Sequence, residues 1–243
     1  MMDREAKGDL ILSGSGESGG GSFSKVVING SGKITGDVNC EHLECNGSGK
    51  IYGNITSDYT LIQGSTDIQG SLTSEDIKVH GDSEVNGKVV FGEMEVNGHV
   101  KVDESLKGDT IHLEGMMKVK GDCEVETADL NGAFTIGGLL NGDRIDIELQ
   151  GKSKVKEIGG ETITVKRSSP SLLKLDKLIK SWSKELHADL IEGDQIKLQY
   201  TKAKVVRGNN VEIGPGCEIE LVEYGNDLQV SDKATVDKTE KLS

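Results

Sequence analysis

Residues 29–45, NGSGKITGDVNCEHLEC, are followed at once by residues 46–62, NGSGKIYGNITSDYTLI, and the two stretches align without a gap over 17 positions. Gly30 and Gly47 open a file that continues through Gly64, Gly81, Gly98, Gly115 and Gly132 at the same step of 17. Glycine supplies 33 of the 243 residues. Seven hits in one column would then arise by chance on the order of once in a million, so the period is real. Other columns keep step with it. Ile34, Ile51, Ile68, Val85, Val102, Val119 and Ile136 form an unbroken β-branched file. Val38, Ile55, Leu72, Val89, Leu106, Cys123 and Leu140 form a second, and Ile28, Cys45, Ile62, Val79, Val96, Leu113, Leu130 and Ile147 a third.

Within one turn the apolar positions 26, 28, 34 and 38 are separated by even steps, the signature of strands whose alternate side chains share a face. Lys33, Lys50, Asp67, Glu84, Lys101 and Lys118 make a polar file between them, so each turn reads as short strands with one face inward and one to solvent. Three kinds of corner join them. Asn-Gly pairs such as Asn29-Gly30, Asn46-Gly47, Asn97-Gly98 and Asn131-Gly132 tolerate positive φ and predict a sharp bend. Gly36, Gly53, Gly70, Gly87, Gly121 and Gly138 mark a second corner, interrupted by Glu104. The third is a glycine followed by Asp, Glu or Asn, as at Gly108-Asp109, Gly142-Asp143, Gly160-Glu161, Gly193-Asp194, Gly208-Asn209 and Gly225-Asn226. Three corners per turn imply a triangular cross-section, and parallel strands make a right-handed crossover the default. The fold predicted is all-β: a right-handed parallel β-helix, that is, a three-sided β-solenoid of 17-residue turns, with one inserted amphipathic α-helix.

That helix is predicted from a break in the pattern. Ser169-Pro170 offers an N-cap and a proline at the first helical position, and Leu172, Leu175, Ile179, Trp182 and Leu186 then recur at steps of three and four. Arg167, Lys174, Lys177, Lys180 and Lys184 make the segment basic. It either packs its apolar stripe on the solenoid or serves as a partner or membrane-surface helix. The chain divides accordingly into a flexible Gly/Ser-rich arm (1–25), a regular solenoid (26–166), the helical insert (167–187), a less regular continuation (188–236) and a disordered tail (237–243). After Ile147 the register slips by two at Gly151 and recovers at Ile163 and Val165.

A net charge of −13 argues against a phosphate-binding surface and against broad attachment to anionic lipid. No apolar run reaches the length of a membrane span, and the start of the chain lacks a signal-peptide core. Cys40, Cys45, Cys123 and Cys217 lack metal-type spacing and point to a reduced, cytoplasmic protein with at most peripheral membrane contact. No phosphate-binding loop, zinc-protease helix or nucleophile elbow is present. His42, His80, His99, His112 and His187 occupy different columns, and the carboxylates are dispersed along solvent-facing files. The sequence therefore predicts no enzyme, no cofactor, no metal and no catalytic residues. Its candidate functional residues are architectural: the inward files (Ile28, Ile34, Val38, Ile51, Ile55, Ile62, Ile68, Val79, Val85, Val96, Val102, Leu113, Val119 and Ile136) and the corner glycines already named.

The segments NGSGKITGDVN (29–39), NGSGKIYGNIT (46–56) and QGSLTS (69–74) resemble the bactofilin family of bacterial cytoskeletal proteins. The resemblance covers at least residues 26–166. It implies a right-handed triangular β-helix that joins end to end into nonpolar filaments without nucleotide or metal. It further implies a scaffold in cell shape, envelope organisation, polarity or motility, with the chain itself as principal partner and an envelope or motility protein as another. A helix interrupting the rod departs from the usual family plan. The competing expectation is a non-polymerising binding module that recruits a partner through residues 170–186; a polysaccharide-acting β-helix is a third.

Overall fold

The computed structural model describes residues 8–168 and 184–242, and among these every regular element is a β-strand in parallel pairing. The strands build parallel β-solenoid in two compact units, residues 1–121 and 122–243, which together hold about 13 turns.

In the first unit, β1 (Leu10–Leu12), β2 (Ser15–Ile28) and β3 (Ser31–Cys45) lead into an alternation of four- and eight-residue strands. The short ones are β4 (Ser48–Ile51), β6 (Ser65–Ile68), β8 (Asp82–Val85), β10 (His99–Val102) and β12 (Met116–Val119). The long ones are β5 (Ile55–Ile62), β7 (Leu72–Val79), β9 (Val89–Val96) and β11 (Leu106–Leu113). Each long strand turns a corner at its middle. In β5 the buried residues run Ile55, Ser57, then Thr60, Ile62, so the alternation changes parity across Asp58 and Tyr59. The ladder omits that point too, passing from Ser57↔Ser74 to Tyr59↔Asp76. From β3 onward the register step is 17, as in Ile34↔Ile51 and Val38↔Ile55. Between β2 and β3 it changes from 16 at Ser15↔Ser31 to 17 at Gly21↔Val38.

The fourteen inward residues predicted from the repeat are all buried. Each fully buried aliphatic side chain contributes roughly 1.5–3 kcal/mol of transfer free energy, which a single turn could not collect alone. Two further inward columns escaped the reading, Gly32 to Met117 through Thr66 and Val100 and Cys40 to Phe91 through Ser57 and Ser74, while the column opened at the predicted position Val26 runs on from Leu43 to Ile111 through Thr60 and Met94. Glycine, serine, threonine and cysteine dilute their hydrophobic signal. The buried hydroxyls of Ser57, Thr60 and Ser74 form a chain: Ser57 Oγ lies 2.7 Å from Thr60 Oγ1 and donates to Ser74 Oγ at 3.0 Å, and Ser74 Oγ donates to the Asp76 carbonyl at 2.9 Å.

The Asn-Gly corner has a different cause from the one expected. Positive φ occurs at Gly14, Gly21, Gly36, Gly216 and Tyr200, and not at Gly47, Gly64 or Gly81. Those glycines stack instead. A Cβ on Gly64 would lie 1.9 Å from the Gly47 carbonyl oxygen, and one on Gly81 equally close to that of Gly64. At the second corner a side chain caps the next turn. Asp37 Oδ1 accepts from the Asn54 amide at 2.7 Å, and Asn54 Oδ1 accepts from the Ser71 amide at 2.9 Å.

The second unit comprises β13 (Cys123–Glu124), β14 (Thr127–Leu149), β15 (Ser153–Arg167), β16 (Leu186–Leu198), β17 (Thr201–Ile213), β18 (Glu218–Val230) and β19 (Thr235–Lys241). Its turns are uneven. The step is 19 at Ile136↔Val155, 18 at Ile147↔Val165, and 15 at Leu186↔Thr201. The register therefore does not recover to 17 at Ile163 and Val165; one of the two extra residues is retained. The expected third corner lies inside these long strands, at Asp143, Glu161 and Asp194, where the ladders skip a residue.

Three expectations need correction. No helix occurs among the described residues. Leu172, Leu175, Ile179 and Trp182 lie outside them, whereas Leu186, assigned to the same stripe, opens β16 fully buried in the solenoid core. Its i−4 apolar neighbour mimics a helical step, yet Leu186 pairs with Ser153 and Thr201. The Gly/Ser stretch 13–24 is largely strand, because the ladder to β3 supplies the hydrogen bonds that composition alone does not suggest. The polar tail likewise forms β19 against β18, through Glu218↔Thr235 to Tyr224↔Lys241.

Candidate assembly surfaces

Inside a solenoid each turn is covered on both sides by its neighbours. A terminal turn is covered on one side only and exposes strand edges and part of the core section. Two such surfaces lie at the N-terminal end of the first unit and at the C-terminal end of the second.

At the C-terminal end, one inward file runs Leu198, Ile213, Val230. Leu198 and Ile213 are each 1% exposed, whereas Val230 is 46% exposed. Leu228 in the neighbouring file is half-buried, after Ile196 and Val211. The cause is local. The strand β19 covers β18 only from Glu218 to Tyr224, so Asp227–Val230 has β17 below it and no described strand above. Leu242, 44% exposed, follows β19. The edge of β19 itself carries Asp237, Lys238, Glu240 and Lys241, with Lys238 paired to Glu240.

At the N-terminal end, β1 covers only Val26–Ile28. The rest of β2 has β3 on one side and no described strand on the other. Its inward positions there are Gly16, Ser18, Gly21 and Phe23, aligned with Gly32, Ile34, Val38 and Cys40 of the next turn. Ile11 of β1 is 60% exposed beside this edge.

The lateral faces are occupied by ion-pair ladders between successive turns. Lys33 meets Glu17 at 2.8 Å, Lys50 meets Asp67 at 2.9 Å, Lys120 meets Asp103 at 2.8 Å, and Lys101 meets Glu84. In the second unit Arg207 spans three turns, reaching Glu192 at 3.1 Å and Glu223 at 2.6 Å. Hydrogen bonds to these partners hold the Lys33 and Arg207 pKa values above their ordinary range. Carboxylates move the opposite way: the hydrogen bond from Lys204 lowers Asp189, and that from Lys25 lowers Glu44. A groove of about 610 Å³ in the second unit has Ala188 and Ala203 in its floor and Lys154, Lys202, Lys204 and Asp189 on its rims.

No group of three or more His, Cys, Asp or Glu residues among those described could hold a metal ion. His42 packs edge-on against Tyr59, His80 faces Asn97, His99 faces Asp82 and His187 faces Glu185, each in its own place on the surface. The four cysteines are buried and unbridged, and burial pushes the Cys123 thiol up to about 12 and Cys217 up to about 11. No described helix is long and apolar enough to cross a membrane.

The sequence model of the bactofilins, described as polymer-forming cytoskeletal, matches residues 3–90. The chain belongs to the bactofilin family. This bactofilin is 59% identical over 236 residues to the uncharacterized protein YhbE of Bacillus subtilis (strain 168), a match covering 96% of this chain and 98% of that one. It is also 43% identical over 107 residues to the uncharacterized protein YhbF of the same organism, covering 43% of this chain and 42% of YhbF. No solved structure matches it. The family match begins ahead of the regular repeat and takes in β1 and β2, the segment that composition alone assigned to a flexible arm.

Proposed function

We propose that this bactofilin joins copies end to end through the terminal turns of its solenoid, forming filaments or scaffolds that need no nucleotide. The observation that carries the proposal is the uncovered core section at Leu228 and Val230. An inward file that is buried in every preceding turn ends there with a valine 46% exposed. Covering Val230 and Leu228 with a second copy would contribute roughly 1–3 kcal/mol by apolar burial alone, before backbone pairing is counted. The ion-pair ladders leave the lateral faces polar and hydrated, so they offer less apolar surface to a partner than the ends do. The described polymer-forming character of the family supports the same reading, with cell shape, envelope organisation or motility as the cellular role.

The test is static light scattering with negative-stain electron microscopy on purified protein, without nucleotide. Val230→Lys places a charge on the uncovered section and is expected to shorten or abolish the assemblies while circular dichroism stays unchanged. Filaments of wild-type length from that variant would refute the role given to this end.

A further inference from the structure

We infer that a glycine-floored groove within the second unit is a docking site for a cationic amphipathic helix of a partner protein. The inference is independent of the end-to-end reading, because the lining of the groove includes neither Leu228 nor Val230.

Its origin is the corner motif of a glycine followed by an acid or asparagine. In the second unit these glycines stack: a Cβ on Gly160 would lie 2.4 Å from the Gly142 carbonyl oxygen, and one on Gly193 equally close to that of Gly160. The residue after each glycine is the one the ladders skip, so Asp143, Glu161, Asp194 and Asn209 follow one another outside the corner. Asn209 shows that the bend itself needs no charge, since asparagine serves such bends as well as aspartate does. Yet three successive turns place exposed carboxylates there, about 4.8 Å apart from turn to turn. None of the three is paired with a cation among the described residues. Like charges opposite one another destabilise a sheet, and ladders such as Lys50 to Asp67 alternate in sign instead.

Across the glycines from this acidic rim runs an apolar row. Leu139, Leu190, Val205 and Leu221 hold one ladder position from turn to turn, interrupted by Glu157, and all are half-buried. In the first unit the same 17-residue column holds Asp37, Asn54 and Ser71, so the apolar row is peculiar to the second. Between rim and row lies a groove of about 570 Å³, with Leu139 and Leu190 on one side, Glu161 and Asp194 on the other, and Gly159 and Gly160 in its floor. Its lining holds four carboxylates against one cation, Arg207, which Glu192 and Glu223 already engage.

The chemistry of the occupant follows from these walls. One flank must be apolar to cover the leucines, and the adjoining flank must be cationic to meet the rim. An α-helix rises about 5.4 Å per turn, close to the roughly 4.8 Å between solenoid turns, so lysines one helical turn apart keep step with Asp143, Glu161 and Asp194. A floor without side chains lets the apolar residues of the helix reach the backbone. An acidic or neutral segment would leave the rim carboxylates unpaired.

Fluorescence anisotropy of the full chain with a labelled synthetic peptide tests the inference. The peptide is a two-heptad helix with leucine on one face and lysine on the adjoining flank. Saturable binding is expected, weakened at least about tenfold by Glu161→Lys/Asp194→Lys and equally by glutamine in place of the peptide's leucines. Both substituted positions are exposed and outside the ladders, so circular dichroism should stay unchanged. Glu41→Lys/Asp58→Lys, at the same corner of the first unit, should alter the affinity less than about twofold, because charges beyond a Debye length are screened. No saturable binding, equal weakening by the first-unit reversal, or equally tight binding of the leucine-free peptide would overturn the inference and leave end-to-end assembly standing. So would binding that appears only when residues 169–183 are removed, which would give the groove to that segment. Binding that is lost once copies assemble would give it to a second copy and would equally overturn the inference.

Discussion

Gly64→Ala tests the packing account of the corner most sharply. The added Cβ would stand 1.9 Å from the Gly47 oxygen, where ordinary contact begins at 3.4 Å, so the two turns must part locally by about 1.5 Å. Two backbone bonds cross that point: Gly64 N donates to the Cys45 carbonyl at 3.0 Å, and Ser65 N donates to the Gly47 carbonyl at 2.8 Å. Opening the turn lengthens both beyond hydrogen-bonding range, a net cost of about 1–3 kcal/mol. Overpacking strain adds about 1–3 kcal/mol, so the expected loss is about 2–6 kcal/mol. Urea titration followed by circular dichroism measures it. Gly19→Ala, at a site with open space, should stay within about 1 kcal/mol of wild type. Asparagine separates the two explanations of the corner. If positive φ were the requirement, Gly64→Asn would be the milder change; if stacking is, asparagine costs at least as much as alanine. A loss below about 1 kcal/mol for Gly64→Ala would refute the reasoning.

The remaining predictions concern thiols, acid and the segment between β15 and β16. With Cys123 near 12 and Cys217 near 11, their thiolate fractions at pH 8 are roughly 10⁻⁴ and 10⁻³, so native labelling by iodoacetamide should run at least a hundredfold slower than in urea. Labelling of either residue at the unfolded rate in native buffer would contradict this burial. The carboxylates of Glu44 and Asp189 are held below their ordinary values of 4.5 and 3.8, so their contribution is present above those values and lost as pH falls through the lower folded ones. The thermal midpoint should therefore drop below about pH 4.5, and Lys204→Met should flatten a small part of that drop, Asp189 being exposed; an unaltered pH profile would count against the pair. Ser168 Oγ accepts from Lys184 Nζ at 2.8 Å, and β15 keeps parallel register with β16 across the intervening residues. Removing 169–183 should leave the β-sheet circular dichroism intact, whereas removing 167–187 should not, because Leu186 and His187 belong to β16. Equal loss of structure in both deletions would contradict that boundary.

Much of the fold was legible because a solenoid repeats its instructions. Ile34, Ile51 and Ile68 occupy equivalent environments, so one periodic column reveals both the strand and its inward face. The columns through Ser57 and Thr66 were not legible, since buried serines and threonines look like surface residues in a sequence. Gly47 and Gly64 were recognised as corners for the wrong reason: proximity to the turn below is a tertiary property, whereas turn propensity is local. Ser15–Phe23 misled because glycine and serine are also the residues of flexible linkers, and only the ladder to β3 distinguishes the two cases. Leu186 was drawn into a helical stripe because one residue can satisfy a step of four and a strand alternation at once. The uncovered section at Val230 was beyond sequence reasoning altogether. The residue follows the same pattern as Ile213, and its exposure depends on where β19 stops covering β18.

The central claim is that copies join through the solenoid ends, and negative-stain electron microscopy of wild-type protein beside Val230→Lys, both without nucleotide, tests it most directly. Filaments or chains from wild type and only short particles from Val230→Lys are the predicted result. Monodisperse wild-type particles the size of one chain would contradict the claim.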